Sequence, residues 1–200
     1  MRSLTLLLLG VAACSPHPAT VETPPPVVAI EAPTADSPPP YDRNEWGRWI
    51  DADGDCQDTR QEVLIAESLD PVVLDEKGCK VVSGRWKDPY TASEYTNPSD
   101  LDIDHLVALK TAFDSGAWQW DAAKKNAYFN DLSFPDHLIA TSASANRSKG
   151  SRTPLEWMPP NETFHCEYLR SWMLVKAKWE LEVPCEEGSA IAMMMAQACK

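Results

Sequence analysis

Asp104 and His105 stand side by side in LDIDHLVAL (101–109), and Asn146 lies about forty residues further on in SANRSKG (144–150). An acidic residue directly before a histidine, with an asparagine on a basic turn flanked by Ser and Gly, can hold one hard cation beside one general base. Carboxylate and carboxamide oxygens are hard donors that leave most of a Mg²⁺ or Mn²⁺ sphere open for water and phosphate oxygens. A neutral imidazole can take the proton from an attacking water. Together these groups are the minimum needed to hydrolyse a phosphodiester. Either half alone fits a buried strand with a satisfied histidine and an unrelated polar loop; both halves in one small domain favour the site. Arg147 and Lys149, beside Asn146, are the candidates to clamp backbone phosphate. Asp102 either supports Asp104 or belongs to the surface.

Such a site needs a strand end and a helical turn brought together. The residues 101–103 read as a short strand, and a helix starts at His105 or Leu106 and stops at Ser115-Gly116. HLIAT (137–141) reads as a second strand, and 142–150 as a turn entering a short helix. Further helices are expected over 59–69, with Thr59 as cap, over 121–129, over 164–181 and over 189–199. Residues 79–86 alternate as a strand, and 91–100 read as loop. Met193, Met194 and Met195 are expected to fill the core. The fold class expected is α+β.

Three regions follow from composition: 1–14, 15–40 and 41–200. Arg2 precedes an apolar run over 4–11 that is too short for a permanent span, closed by Val11-Ala12-Ala13-Cys14. This resembles a bacterial lipoprotein signal, which implies a membrane anchor through lipidated Cys14 and, with Ser15 next, an outer-membrane or cell-surface location; an ordinary secretory signal is the alternative. Nine of the 26 residues in 15–40 are proline, so this stretch reads as an extended tether. All eight Trp residues lie beyond Tyr41, which places the folded domain in 41–200. In an oxidising compartment disulfides are the expected use of Cys56, Cys79, Cys166, Cys185 and Cys199. Cys56 is expected to meet Cys79, and Cys166 to meet Cys199 or Cys185, leaving one thiol. No C-x-x-C or H-x-x-x-H spacing supports a closed zinc site.

The net charge of −12 argues against tight, non-specific polyanion binding, but its distribution is uneven. Residues 42–100 hold 7 Lys/Arg against 14 Asp/Glu, whereas 141–178 hold 6 against 3. The one basic stretch therefore coincides with the Asn146 region. Asp51, Asp53 and Asp55 around Gly54 look like half a calcium loop. The glycine falls fourth rather than sixth and Cys56 interrupts the pattern, so a solvated turn is the expectation.

DTRQEVL, GRWKDPYT, DIDHLVAL, Ser115-Gly116-Ala117, Phe129-Asn130-Asp131, NRSKG, Glu156-Trp157 and CEYLRSWMLVKAKW carry a resemblance that spans most of 41–199. With them the domain resembles secreted bacterial HNH-family (ββα-metal) endonucleases, similar to the C-terminal domain of modification-dependent restriction endonucleases. The resemblance implies a ββα-metal centre with His105 as general base and Asp104 and Asn146 as metal ligands. It puts His137 where that family usually has Asn, either as a support for the base-bearing loop or as a third ligand; Asn130 competes for the supporting role. One divalent ion is implied, Mg²⁺ or Mn²⁺, with Zn²⁺ or Ca²⁺ as alternatives. The substrate implied is DNA, with RNA as an alternative, cut with weak sequence preference outside the cytoplasm and without an obligate protein partner. Two rival readings are a calcium-stabilised, non-catalytic surface lipoprotein and a nuclease toxin with an immunity partner.

Overall fold

Apolar residues alternate with aspartates through Leu101–His105, and in a computed structural model, which describes residues 37–200, this stretch is a strand. It pairs antiparallel with Leu138–Ser142, Leu101 opposite Ser142 and His105 opposite Leu138. Successive side chains of a strand point to opposite faces. Leu101 and Ile103, with Leu138 and Ala140 across the ladder, pack on one face against Val63, Leu64, Val81 and Trp86. Asp102, Asp104, Ile139 and Thr141 take the other.

The chain is α+β. In order, its strands are β1 (Val73–Leu74), β2 (Val81–Ser83), β3 (Trp86–Lys87), β4 (Glu94–Tyr95), β5 (Leu101–His105) and β6 (Leu138–Ser142). They pair as β1-β2, β3-β4 and β5-β6. The helices are α1 (Thr59–Glu67), α2 (Leu109–Asp114), α3 (Ala122–Phe129), α4 (Ala143–Lys149), α5 (His165–Lys178) and α6 (Cys185–Ala198). Pro38–Lys200 form one compact unit, and Cys14 with the tether up to residue 36 lies outside the described residues. The main core joins α2, α3 and α5 around fully buried Trp46, Tyr90, Tyr128, Tyr168 and Trp172.

Several elements differ from expectation for identifiable reasons. Asp58, not Thr59, caps α1 by accepting the Gln61 N–H at 3.1 Å, which frees the Thr59 hydroxyl to donate to Asn130 Oδ1 at 2.7 Å. The expected strand over 79–86 is broken at Gly84, where a Cβ would lie 2.5 Å from the Trp86 ring. Only glycine lets the indole cross the backbone there. β4 forms inside the expected loop because β3 supplies its partner, and β5 runs on to His105 because β6 pairs with it to the end. The last helix begins at Cys185, four residues ahead of expectation. Met193 is 64% exposed rather than core filler, whereas Met194 and Met195 do pack on the core. Cys56–Cys79 and Cys166–Cys199 are disulfides, and Cys185 is an exposed free thiol.

Candidate active site

One face of α4 lies across the polar face of β5. Ser142 caps the helix, its hydroxyl accepting the Ala145 N–H, and Gly150 ends it with a φ of 57°. Asn146 and Lys149 are three apart and therefore share a helix face. Asp102 and Asp104 share a strand face. The result is two cross-links: Asn146 Nδ2 donates to Asp102 Oδ2 at 3.0 Å, and Lys149 Nζ donates to Asp104 Oδ1 at 2.9 Å. The Tyr90 hydroxyl donates to Asp104 Oδ2 at 2.6 Å. Burial pushes the Asp104 carboxyl up from its ordinary range, against the pull of the Lys149 ammonium.

His105 lies in an aromatic box. Its ring runs parallel to Trp49 (5.6 Å between centroids) and to Tyr128 (6.0 Å), and Phe129 tilts against it at 4.9 Å. Nε2 lies 3.0 Å from the Phe129 carbonyl oxygen. A carbonyl can only accept, so Nε2 carries the proton and Nδ1 the lone pair. Nδ1 is not among the sealed, unpartnered ring nitrogens. Burial holds the ring pKa well below 6.5, with His137, Arg43 and Lys149 adding to the effect, so the imidazole is neutral at neutral pH.

His137 and Asn130 each brace one wall of this box. His137 Nε2 donates to the Tyr128 carbonyl at 2.7 Å, and its own carbonyl accepts the Leu106 N–H at 3.0 Å. The ligand expectation for His137 is corrected: the ring is wholly buried and its Nδ1 is sealed without a partner. Asn130 Oδ1 accepts from the Thr59 hydroxyl and the Ile50 N–H, while Nδ2 donates to the Arg48 and Asn126 carbonyls. It thus anchors the backbone on either side of Trp49, and its amide has no capacity left for an ion.

The two buried histidines also contribute to the acid sensitivity of the fold. Burial lowers the His137 pKa from 6.5 to about 4. The unfolded chain protonates first, so stability falls as pH drops below 6.5 and the His137 share is gone once pH passes about 4. That share is ~3 kcal/mol. Urea midpoints followed from neutral pH down to this limit should show the fall, and His137→Gln should flatten it; equal slopes in both proteins would assign the loss elsewhere.

Asp104, His105, Asn146 and Arg147 line one cleft of about 300 Å³ with Tyr41 and Arg43. Arg147 is exposed there, as a phosphate clamp requires. Lys149 is not, and this expectation is corrected: its ammonium is fully buried and donates to Asp104 and to the His105 carbonyl at 3.0 Å. The basic stretch 141–178 does not form one surface either. Lys176 is buried against Glu187, and Lys178 pairs with Asp131. Sequence reasoning missed Tyr90, Trp49 and Arg43: Tyr90 belongs to GRWKDPYT, which by itself gives the residue no role, and Trp49 and Arg43 come from a segment without motif spacing. Asp51, Asp53 and Asp55 place oxygens within 4.8 Å of one another, all exposed. Asp51 accepts the Gly54 and Cys56 N–H groups, which closes the turn.

The donors present suit a hard cation. An ionised carboxylate has about four lone-pair sites, and Tyr90 and Lys149 use two of those on Asp104. The bond from Nδ2 to Asp102 turns the Asn146 carbonyl oxygen away from that carboxylate. Oxygen donors of this kind are what hard divalent cations take, and neither the sealed His137 nor His105 Nε2 is free to join them.

Residues 58–194 match the family described as GmrSD restriction endonucleases, C-terminal domain. A protein of Arthroderma benhamiae described as "Uncharacterized secreted protein" is 37% identical over 155 residues, covering 78% of this chain and 74% of the relative. That relative is fungal, so the likeness supports the family and not a bacterial source. No solved structure matches the chain.

Proposed function

The chain belongs to the family of GmrSD restriction endonuclease C-terminal domains, and on that premise we propose that it is a metal-dependent endonuclease of DNA whose β5, β6 and α4 form a ββα-metal centre. One observation carries this reading: in a single cleft, a neutral imidazole with only Nδ1 open stands beside the oxygen donors Asp104 and Asn146 and the exposed Arg147. His105 Nδ1 takes the proton of the attacking water. The Phe129 carbonyl keeps the ring aimed and stabilises the imidazolium that forms, because it already accepts the Nε2–H. Asp104 and Asn146, with Asp102 beside them, would hold a Mg²⁺ or Mn²⁺ ion, which supplies charge stabilisation to the phosphoryl oxygens and the leaving 3′ oxygen. Arg147 neutralises a neighbouring phosphate. The products are 5′-phosphate and 3′-hydroxyl ends.

The relative's description as secreted, and the two disulfides, support action outside the cytoplasm. In this reading acylated Cys14 and the tether 15–40 hold the domain at a membrane, and a Cys14→Ser chain should leave the membrane fraction. The nuclease reading is tested by incubating the full chain with supercoiled plasmid and, in parallel, RNA, with Mg²⁺, Mn²⁺, Ca²⁺, Zn²⁺ or EDTA. Nicking with Mg²⁺ or Mn²⁺ that EDTA stops, leaving ends that DNA ligase reseals, is the expected result. Absence of cleavage with every cation overturns it.

A further inference from the structure

Two arginines, Arg43 and Arg147, line the cleft that holds His105, and a third, Arg48, lines the groove next to it; Arg43 and Arg48 come from the acidic part of the chain. Arg43 lines the cleft with His105, Asn146 and Arg147, and it also lines an adjoining groove of about 560 Å³ with Asn44, Gly47, Arg48, Trp49, Asp58 and Phe129. Arg43 thus stands on the border of both hollows. Arg43, Arg48 and Arg147 are all exposed, and among the described residues no carboxylate lies within ion-pair distance of any of them. The nearby acids are committed elsewhere. Asp42 accepts the Asn44 N–H, Asp58 accepts the Gln61 N–H at the start of α1, and Glu45 pairs with Lys125. Lys110, the other cation at the cleft, is held by Asp114.

In a chain of net charge −12, guanidinium groups without a carboxylate partner that line two hollows sharing Arg43 need an explanation. A merely solvated face does not supply it, because this arm is held rigidly. Trp46 is fully buried, Trp49 packs on His105 and Phe129, and Asn130 bonds the backbone at Arg48 and Ile50. The guanidinium of Arg43 lies 5.7 Å from the Phe129 ring centroid, so its partner there is an aromatic face and not an acid. A fixed set of cations lining the hollow of a hydrolytic base and the groove next to it fits the repeating phosphates of one polynucleotide strand.

We propose that the segment 41–49 is the substrate-strand clamp of this enzyme: Arg43 and Arg48 bind successive phosphates on one side of the scissile bond, and Arg147 binds on the other. This rests on the nuclease reading above and adds residues to it. The clamp acts by holding substrate, so its loss weakens binding and leaves the chemical step intact.

The test measures binding and turnover separately in the full chain. Anisotropy of a fluorescein-labelled DNA in EDTA, across a NaCl series, compares wild type with Arg43→Ala, Arg48→Ala and the exposed, Asp70-paired control Arg85→Ala. Each clamp variant is expected to lower the salt slope of binding by about 1. Each should also raise KM for DNA about tenfold with kcat within about threefold, the signature of lost ground-state binding. Arg43→Lys should recover part of the binding, and melting temperatures should match wild type because the replaced groups are solvent-facing. If wild type nicks DNA while both clamp variants keep its slope and KM, the clamp is overturned and the nuclease stands. If wild type neither binds nor nicks DNA, both fall.

Discussion

Alanine in place of His105 is expected to lower the proposed phosphodiester hydrolysis by about 10²–10⁴-fold, the range for loss of a general base. The size of the effect follows from the box around the ring. Nε2 is committed to the Phe129 carbonyl, and the second histidine, His137, is sealed beneath Tyr128 and cannot substitute. Among the described residues that line the cleft, no other imidazole is then left to take the proton. Removing a packed ring also leaves a hollow among Trp49, Tyr128 and Phe129, so the variant should melt earlier; truncation of a buried ring costs ~3–5 kcal/mol at most. Activity is therefore compared at a temperature where both proteins are folded, as judged by near-UV circular dichroism. Because burial lowers the His105 pKa, wild-type turnover should persist as pH falls below 6.5, down to the range where the fold itself gives way. A folded His105→Ala protein that keeps more than about a tenth of wild-type turnover would remove His105 from the reaction.

Replacing Lys149 with methionine should destabilise the fold by ~3–5 kcal/mol, the cost of breaking a buried ion pair from one side. Lys149 Nζ serves both Asp104 Oδ1 and the His105 carbonyl, and its side chain has 0% exposure. Without it the Asp104 carboxylate stays buried with only the Tyr90 hydroxyl as donor. A carboxylate in that position takes up a proton, which also removes a charge the proposed cation site depends on. Urea denaturation measures the loss. The double variant Asp104→Leu/Lys149→Met should regain much of it, since an apolar pair of similar volume carries no desolvation cost. A single variant within about 1 kcal/mol of wild type would show that the pair contributes little. Arg147→Ala, on the exposed side of the same helix, should leave the urea midpoint nearly unchanged, which separates the buried cation of α4 from the one facing the cleft.

How far the site was legible in the sequence depends on which property is asked about. The Asp104-His105 step, the alternation that makes β5, the Ser142 cap and the Gly150 stop are local, and each has a physical signature within a few residues. Period 2 put the aspartates on one face, and the three-residue spacing of Asn146 and Lys149 put them on one helix face, so the pieces of the candidate centre and the α+β class were readable. The overall charge pattern was a poorer guide. It pointed to 141–178 as the phosphate surface, but solvent exposure decides whether a lysine can meet a phosphate, and spacing does not encode it.

Tertiary packing alone determined the rest. Lys149 became an internal partner of Asp104 because Tyr90 and the β5–β6 pair close over it. His137 became a brace because Tyr128 and Trp179 seal its ring. Arg43 reached the cleft, and Arg48 the groove next to it, because Asn130, about eighty residues away, ties their segment beside His105. A residue's neighbours along the chain set its backbone geometry, but desolvation and charge pairing depend on what arrives from remote segments. For that reason the Asp104-His105 pair was visible in the order of residues, while which cations are buried and which face the cleft was decided only by the folded chain.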